Sequence, residues 1–513
     1  MAKSIMVQGT ASNVGKSVLA AGLCRIFKQD GYSVAPFKSQ NMALNSFITN
    51  EGLEMGRAQV VQAEAAGIEP CADMNPVLLK PTGDSKSQVI VHGKIWDELK
   101  SRDYYRVKRL LIPKITESYE RLASRFDVIV LEGAGSPVEI NLRDNDIVNM
   151  FMARLASAPV LLAADIDRGG VFASLAGTML LFTETERSYV KGLLINKFRG
   201  DKSLLEPGLR QLLELTEKPA LGVIPYFRLD IDDEDSQSER LENSTEGDAE
   251  GGGVKIAVAR LPRMSNYTDF NVFSRLSGVR VSYCSSAKEL EGADLIIIPG
   301  TKNTMRDLEW MRGRGIEDAV KRHAAAGKPV FGICGGYQML GWRISDPFNA
   351  EGGGEIEGMG LLPVKTVFET EKHRTRVSGK FLSPQGIFAE LADKKIEGYE
   401  VHMGTTTPLD ASEVYKPLAL IKDSVSGEEK IDGAQDKNIY GSYIHGIFDA
   451  EGIASAITRA LSRAAGLPYD CSEDNISSKQ HKENNYDMLA NIMRDSIDMD
   501  AVYKILNDGM TGV

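Results

Sequence analysis

The chain has few cysteines, and none is paired in a motif. Its 513 residues include five, Cys24, Cys71, Cys284, Cys334 and Cys471. They are scattered and odd in number, and no CxxC occurs, which argues against a disulfide framework or a thiolate zinc site. Basic residues are in deficit: 60 Lys and Arg stand against 71 Asp and Glu, a net charge of −11. That sign is wrong for gripping a phosphate backbone, so no nucleic-acid partner is expected. No apolar run reaches the roughly 20 residues that span a bilayer, so no membrane partner is expected either. The start, "MAKSIMVQGT", runs directly into a strand pattern and shows no signal peptide. With unpaired thiols, this points to a cytoplasmic location. No internal repeat of fixed period is visible.

What is present is an ordinary globular composition, 42% hydrophobic and 26% charged, in a chain too long for one core. Residues 1–229 alternate short apolar runs with helical patterns. The strands are "SIMVQG", "SVAPFK", "FDVIVLEG", "PVLLAADI", "KGLLINK" and "ALGVIPY", and such alternation predicts an α/β domain with a mainly parallel sheet. Residues 230–253, "DIDDEDSQSERLENSTEGDAEGGG", are acidic, nearly without apolar side chains, and read as a flexible linker. A second α/β pattern fills residues 254–450, with strands in "VKIAVARL", "VRVSYCS", "ADLIIIPG", "KPVFGIC" and "NIYGSYIHG". Residues 451–513 read as a helical C-terminal extension, with apolar residues three and four apart.

"GTASNVGKS" (residues 9–17) follows a strand and opens a helix, where backbone amides bind phosphate. Thr10, Asn13 and Gly15 belong to this cradle. Lys16 would reach the outer phosphates of ATP, and Ser17 would ligate Mg²⁺. The spacing is unusual, because Thr10 stands where the standard pattern has its first glycine. Glu132 ends an apolar strand and is a second candidate for the Mg²⁺, the alternative being a strand-end surface acid. Asp165, Asp167 and Arg168 in "ADIDRGG" either bind metal, phosphate or an acidic substrate, or form a salt-bridged turn. Asn196 in "LLINKFRGD" is a candidate for reading adenine.

"KPVFGICGGYQML" is a strand, then Cys334, then the start of a helix. A sharp strand-to-helix turn exposes a nucleophile, and a helix N-terminus favours the thiolate. Gly335 and, in the turn of "DLIIIPGTKNT", Gly300 are oxyanion-donor candidates. His445 in "IYGSYIHGIF" is the candidate base on a late strand. The alternative is a buried, inert thiol. His402 in "GYEVHMG" is kept as a substrate-contact or structural candidate.

Two resemblances follow from these stretches. Over roughly residues 3–227, the cradle, Lys16, "EGAG" and "ALGVIPY" resemble the dethiobiotin synthetase family, which implies ATP-dependent activation of a carboxyl or carbamate oxygen. Over roughly residues 254–450, "GICGGYQML" and His445 resemble the class I glutamine amidotransferases. That class has Glu two residues after its histidine, and here Ile447 stands there. The cobalamin-pathway amidotransferases share this departure, which implies a Cys–His pair or an orienting group from elsewhere. Nearly the whole chain resembles that cobalamin-pathway family, through "PFKSQNMALNS", "LEGAGSPVEINL", "ADIDRGGVFAS", "RLPRMSNYTDF" and "SYIHGIFD". The fold this implies is α/β in two domains, an N-terminal P-loop parallel-sheet domain and a C-terminal class I glutamine amidotransferase-like domain. The activity it implies joins the two. Ammonia freed from glutamine amidates acyl phosphates made with ATP on the b, d, e and g carboxylates of adenosylcobyrinic acid a,c-diamide. Gln40, Asn41 and Asn45 either contact the corrinoid or nucleotide, or cap a turn. The rival readings are the diamide-forming branch of the same family and a non-enzymatic P-loop ATPase switch. Oligomeric state is left open by the sequence.

Overall fold

The structure is a computed structural model. It describes residues 2–43, 45–81, 86–232, 253–409, 416–468 and 478–510. Cys471 and residues 233–252 of the expected linker lie outside the described residues. The chain divides into two compact units. One comprises Met1–Ala43, Glu54–Glu234 and His481–Val513, and the other Leu44–Leu53 and Asp235–Gln480.

The first unit is built on a six-stranded parallel sheet. In spatial order its strands are Ala220–Pro225, Val190–Phe198, Val160–Asp165, Lys3–Gly9, Val128–Glu132 and Val34–Phe37. All six coincide with apolar runs read from the sequence. Their β-branched side chains are buried, as expected for a parallel sheet covered on both faces. The first strand is central, and chain order reverses on either side of it, which puts the turn after Gly9 where open α/β sheets bind ligands. A smaller sheet of Gln40–Met42, Val77–Pro81, Lys86–Val91 and Lys94–Lys100 accompanies it; its short strands carry no alternation long enough to stand out in sequence.

The second unit holds another six-stranded sheet, in the order Val279–Cys284, Val254–Ala259, Leu295–Ile298, Val330–Ile333, Ile439–Ser442 and Ala434–Asp436. It is parallel except for the last pair. A second sheet is centred on the long antiparallel pair Val364–Phe381 and Lys395–Pro408.

The expected C-terminal extension is not one body. Helix Ile453–Ala465 packs in the core of the second unit through Ile453, Ile457 and Leu461. From His481 onward the chain belongs to the first unit. Tyr486, Leu489 and Met493 of helix Ser478–Ser496 enter the core that contains Leu19, Leu23 and Ile26 of helix Lys16–Gln29. Gly22 makes this approach possible, because a Cβ there would lie 2.0 Å from the Met493 sulfur. The heptad-like stripe was legible, but a stripe does not name the surface that covers it.

Candidate active site

The phosphate cradle is the turn between strand Lys3–Gly9 and helix Lys16–Gln29. Gly15 has φ 97°, and a Cβ there would meet the Asn196 amide nitrogen at 2.2 Å, so this position suits glycine alone. Lys16 Nζ donates to the carbonyls of Ala11 at 2.9 Å and Gly135 at 3.2 Å. Thr10 N donates to the Ala163 carbonyl, and the Asn13 carbonyl accepts from Lys197 Nζ. Ser17 Oγ donates to Glu132 Oε1 at 2.8 Å. Adjacent hydroxyl and carboxylate oxygens are the donor set Mg²⁺ prefers. The same carboxylate is closely held: Lys38 Nζ donates to Oε1 at 2.8 Å, and Gln62 and Gln59 donate to Oε2 at 2.5 and 3.3 Å. All four residues are buried. Glu132 is therefore not a surface acid.

Lys38, Gln59 and Gln62 were missed by sequence reasoning. Lys38 follows the apolar strand Val34–Phe37 directly, and the two glutamines lie three apart on helix Arg57–Ala66 among alanines and valines. Buried long polar side chains in such settings were the available signal.

The remaining candidates have the following partners in the structure. Asn196 uses its amide nitrogen to hold the cradle, donating to the Val14 carbonyl at 2.8 Å. Its Oδ1 is buried without a hydrogen-bond partner among the described residues. Asp165 lies 3.0 Å from Lys197 Nζ and 3.9 Å from Arg168 Nε, and Asp167 accepts from Arg199 Nε at 2.9 Å. These are the ion pairs that the salt-bridged alternative describes. Gln40 accepts from the Tyr104 hydroxyl at 2.6 Å, and Asn41 donates to Gln59 at 3.2 Å. Asn45, four residues on, belongs to the other unit, where its Oδ1 accepts the Asn266 N–H at 2.9 Å.

In the second unit Cys334 forms the elbow between strand Val330–Ile333 and the six-residue helix Gly335–Leu340. Its φ of 51° is the left-handed region, rare for a residue with a Cβ, and it turns the thiol out of the strand line. Gly336 lets the elbow sit against the neighbouring strand, since a Cβ there would lie 2.0 Å from the Ile298 carbonyl oxygen. Cys334 is buried, with Sγ 3.7 Å from the Val401 carbonyl. His445 lies near Cys334, the two flanking Gly300. It lies three residues beyond strand Ile439–Ser442, rather than on it, and a backbone bridge to Tyr399 holds it there. Gly300 is beside both groups: a Cβ there would be 2.9 Å from His445 Cε1 and 3.6 Å from Cys334 Cβ.

The group that orients His445 is Asp269. Its Oδ2 lies 2.7 Å from His445 Nδ1, and its Oδ1 accepts the Gly446 N–H at 3.1 Å. It comes from the turn Tyr267–Phe270, inside "RLPRMSNYTDF". Burial opposes charge on the imidazole, but the Asp269 charge and hydrogen bond outweigh it, with Cys334 adding to them, and His445 is raised to about 9. A thiol, an imidazole and a carboxylate are thereby gathered in one buried place, with imidazole and carboxylate 2.7 Å apart, an arrangement suited to a nucleophile and its base. The orienting acid precedes the cysteine by 65 residues instead of following the histidine by two, so linear spacing concealed it.

Two further buried groups come from the helix after Cys334 and from the strand that carries Val401. Gln338 donates to the Met403 carbonyl and the Tyr443 hydroxyl, both at 3.1 Å. His402 stacks on Tyr443 at 3.7 Å. Its Nδ1 is 3.0 Å from the Gly404 carbonyl, which assigns the proton to Nδ1 and leaves Nε2 as an acceptor. Burial, with His373 nearby, holds His402 well below the usual imidazole range.

Among the described residues no helix is long and apolar enough to cross a membrane. Residues 5–239 match the family model of a CobQ/CobB/MinD/ParA nucleotide binding domain, and residues 255–453 that of a CobB/CobQ-like glutamine amidotransferase domain. The chain is 55% identical to the cobyric acid synthase of Ruminiclostridium cellulolyticum, over 99% of this chain and 98% of that one. It is 50% identical to the enzyme of the same name from Lachnoclostridium phytofermentans, over 99% and 100% of the two chains. It is also 50% identical to that of Yersinia enterocolitica, over 98% of each. With two matching domains and half its residues identical along its full length, the chain belongs to the cobyric acid synthase family.

Proposed function

We propose that the chain amidates the b, d, e and g carboxylates of adenosylcobyrinic acid a,c-diamide, using ATP and ammonia from glutamine. The observation that carries the glutaminase half is His445 held between Cys334 and the buried Asp269. The Cys334 thiolate attacks the side-chain amide carbon of glutamine, and the C=O electrons move to oxygen. Gly300 and Gly335 would supply backbone N–H donors to that oxyanion. Imidazolium His445 protonates the departing nitrogen, so ammonia leaves and a thioester remains. His445 then takes a proton from water, whose oxygen attacks the thioester, releasing glutamate and restoring the thiol.

In the nucleotide unit, a corrinoid carboxylate oxygen attacks the γ-phosphorus of ATP and ADP departs. Ammonia attacks the acyl phosphate carbon, phosphate leaves, and the amide loses a proton to solvent. Lys16 stabilises charge on the transferred phosphoryl group. Ser17 and Glu132 would hold Mg²⁺, which when bound neutralises phosphate charge. Lys38 shares the Glu132 oxygen that Ser17 touches and so sets how much of that carboxylate's charge faces the site.

The test incubates wild type and Cys334→Ala with adenosylcobyrinic acid a,c-diamide and Mg·ATP, and follows the corrinoid by mass spectrometry. Wild type should add four amides with glutamine or ammonium, and the variant with ammonium alone. Conversion of cobyrinic acid in preference to its a,c-diamide would move the chain to the diamide-forming branch. Failure of both proteins to modify either corrinoid while binding ATP would remove the substrate assignment.

A further inference from the structure

The chain leaves the nucleotide unit after Ala43, gives Leu44–Leu53 to the glutaminase unit, and re-enters the first unit at Glu54. A ten-residue excursion of this kind has no need to touch the chemistry of the unit it joins. Its described residues nevertheless reach both supports of His445. On one side, Asn45 Oδ1 accepts the Asn266 N–H at 2.9 Å, and Asn266 Oδ1 accepts the Ser46 N–H at 3.4 Å. Asn266 is left-handed, with φ 54°, and its carbonyl accepts the Asp269 N–H at 3.1 Å. On the other side, the Ser46 carbonyl accepts the Tyr399 hydroxyl at 3.1 Å, and the Phe47 ring packs 5.5 Å from that of Tyr399. Tyr399 in turn stacks on the His445 ring at 5.4 Å and exchanges two backbone hydrogen bonds with it, at 2.9 and 3.1 Å.

We propose that Asn45–Phe47 is a positioning element for the glutaminase: it fixes the Asp269 turn and the Tyr399 ring, and through them the imidazole beside Cys334. Asparagine tolerates the left-handed region better than most residues with a Cβ but is not locked there, and the reciprocal bonds with Asn45 and Ser46 tie the turn to the excursion. Glutamine hydrolysis then depends on a segment whose two ends are covalently joined to the nucleotide unit. That gives substrate occupancy near Gln40 and Asn41 a covalent route to the thiol. This inference rests on the glutaminase reading above.

The variants are Asn45→Ala, Asn45→Asp and Tyr399→Phe in the full chain. Asn45→Asp keeps the acceptor oxygen, loses an amide N–H that has no partner among the described residues, and adds a buried carboxylate. Tyr399→Phe keeps the ring on His445 and removes the bond to Ser46. Glutamate release gives kcat and KM for glutamine, and peptide mapping gives the rate at which iodoacetamide alkylates Cys334. A 1 Å misplacement of a reacting pair costs up to about 10²-fold. We expect Asn45→Ala to lower kcat and Cys334 alkylation together, about 10- to 100-fold, with KM within about threefold. Asn45→Asp should recover most of the loss, and Tyr399→Phe should shift both readouts the same way by less. Asn45→Ala with kcat within about twofold of wild type overturns the proposal. If Asn45→Ala does not fold, Tyr399→Phe decides: an unchanged kcat overturns the proposal. Wild type that releases no glutamate under any condition removes the glutaminase reading itself, a failure distinct from these.

Discussion

Asp269→Asn removes one charge from the glutaminase and keeps the shape. Holding the His445 imidazolium to about 9, against an ordinary value of about 6.5, corresponds to about 3 kcal/mol in favour of the charged form. Burial works against that charge, and Asp269 supplies the largest opposing contribution. Around the imidazole, the other titratable groups are Cys334, the stacked Tyr399 and the neutral His402. None of them replaces a carboxylate 2.7 Å away. Without it, the histidine returns to about 6.5 or below, and at pH 8 only about one molecule in thirty carries the imidazolium. An asparagine amide also favours the wrong tautomer, so the loss of glutaminase kcat/KM at pH 8 should be on the order of 10²-fold. The assay is glutamate release between pH 6 and 10. Wild type should lose activity as pH rises through about 9, and the variant should lose it well below that. Amidation driven by ammonium should persist. The sign for stability is the same: a histidine whose folded value is raised contributes fully below about 6.5, and that contribution is lost as pH rises through the folded value. The wild-type advantage in thermal midpoint over Asp269→Asn should therefore shrink across that window. An unmoved alkaline limb with kcat/KM within threefold of wild type would refute the assignment of Asp269.

Two further perturbations probe the nucleotide unit. Gly15→Ala places a Cβ 2.2 Å from the Asn196 amide at φ 97°, so ATP affinity measured by calorimetry should fall by more than about tenfold. Met493→Ala empties the space against Gly22 in a fully buried setting. It should cost the nucleotide unit about 2–4 kcal/mol, read as faster hydrogen exchange in residues 16–29 and 486–506 together.

Much of the fold was legible because its signals are local. Each strand of the first unit's parallel sheet is a short, mostly apolar run, and a parallel sheet buried on both faces needs no long-range information to be recognised. Cys334 was legible for the same reason: strand, thiol and glycine pair are contiguous, and the left-handed elbow follows from them. The Glu132 strand end and the Gly-Lys-Ser turn belong to the same class.

What escaped the linear reading depends on which strand ends become neighbours. Asp269 precedes His445 by 176 residues, and nothing at either position names the other. Lys38, Gln59 and Gln62 surround Glu132 only because a sheet and a helix bring distant segments to one carboxylate. The C-terminal stripe announced a buried face but not whose core it fills; Gly22, more than 450 residues earlier, is what admits Met493. Asn45 is the sharpest case. It lies four residues after Asn41 in one polar stretch, yet the two serve different units. Composition, periodicity and contiguous motifs act over a few residues, and so they specify elements and the local turns that join them. Orienting charges and shared supports act through space, where the packing of the folded chain chooses the partner.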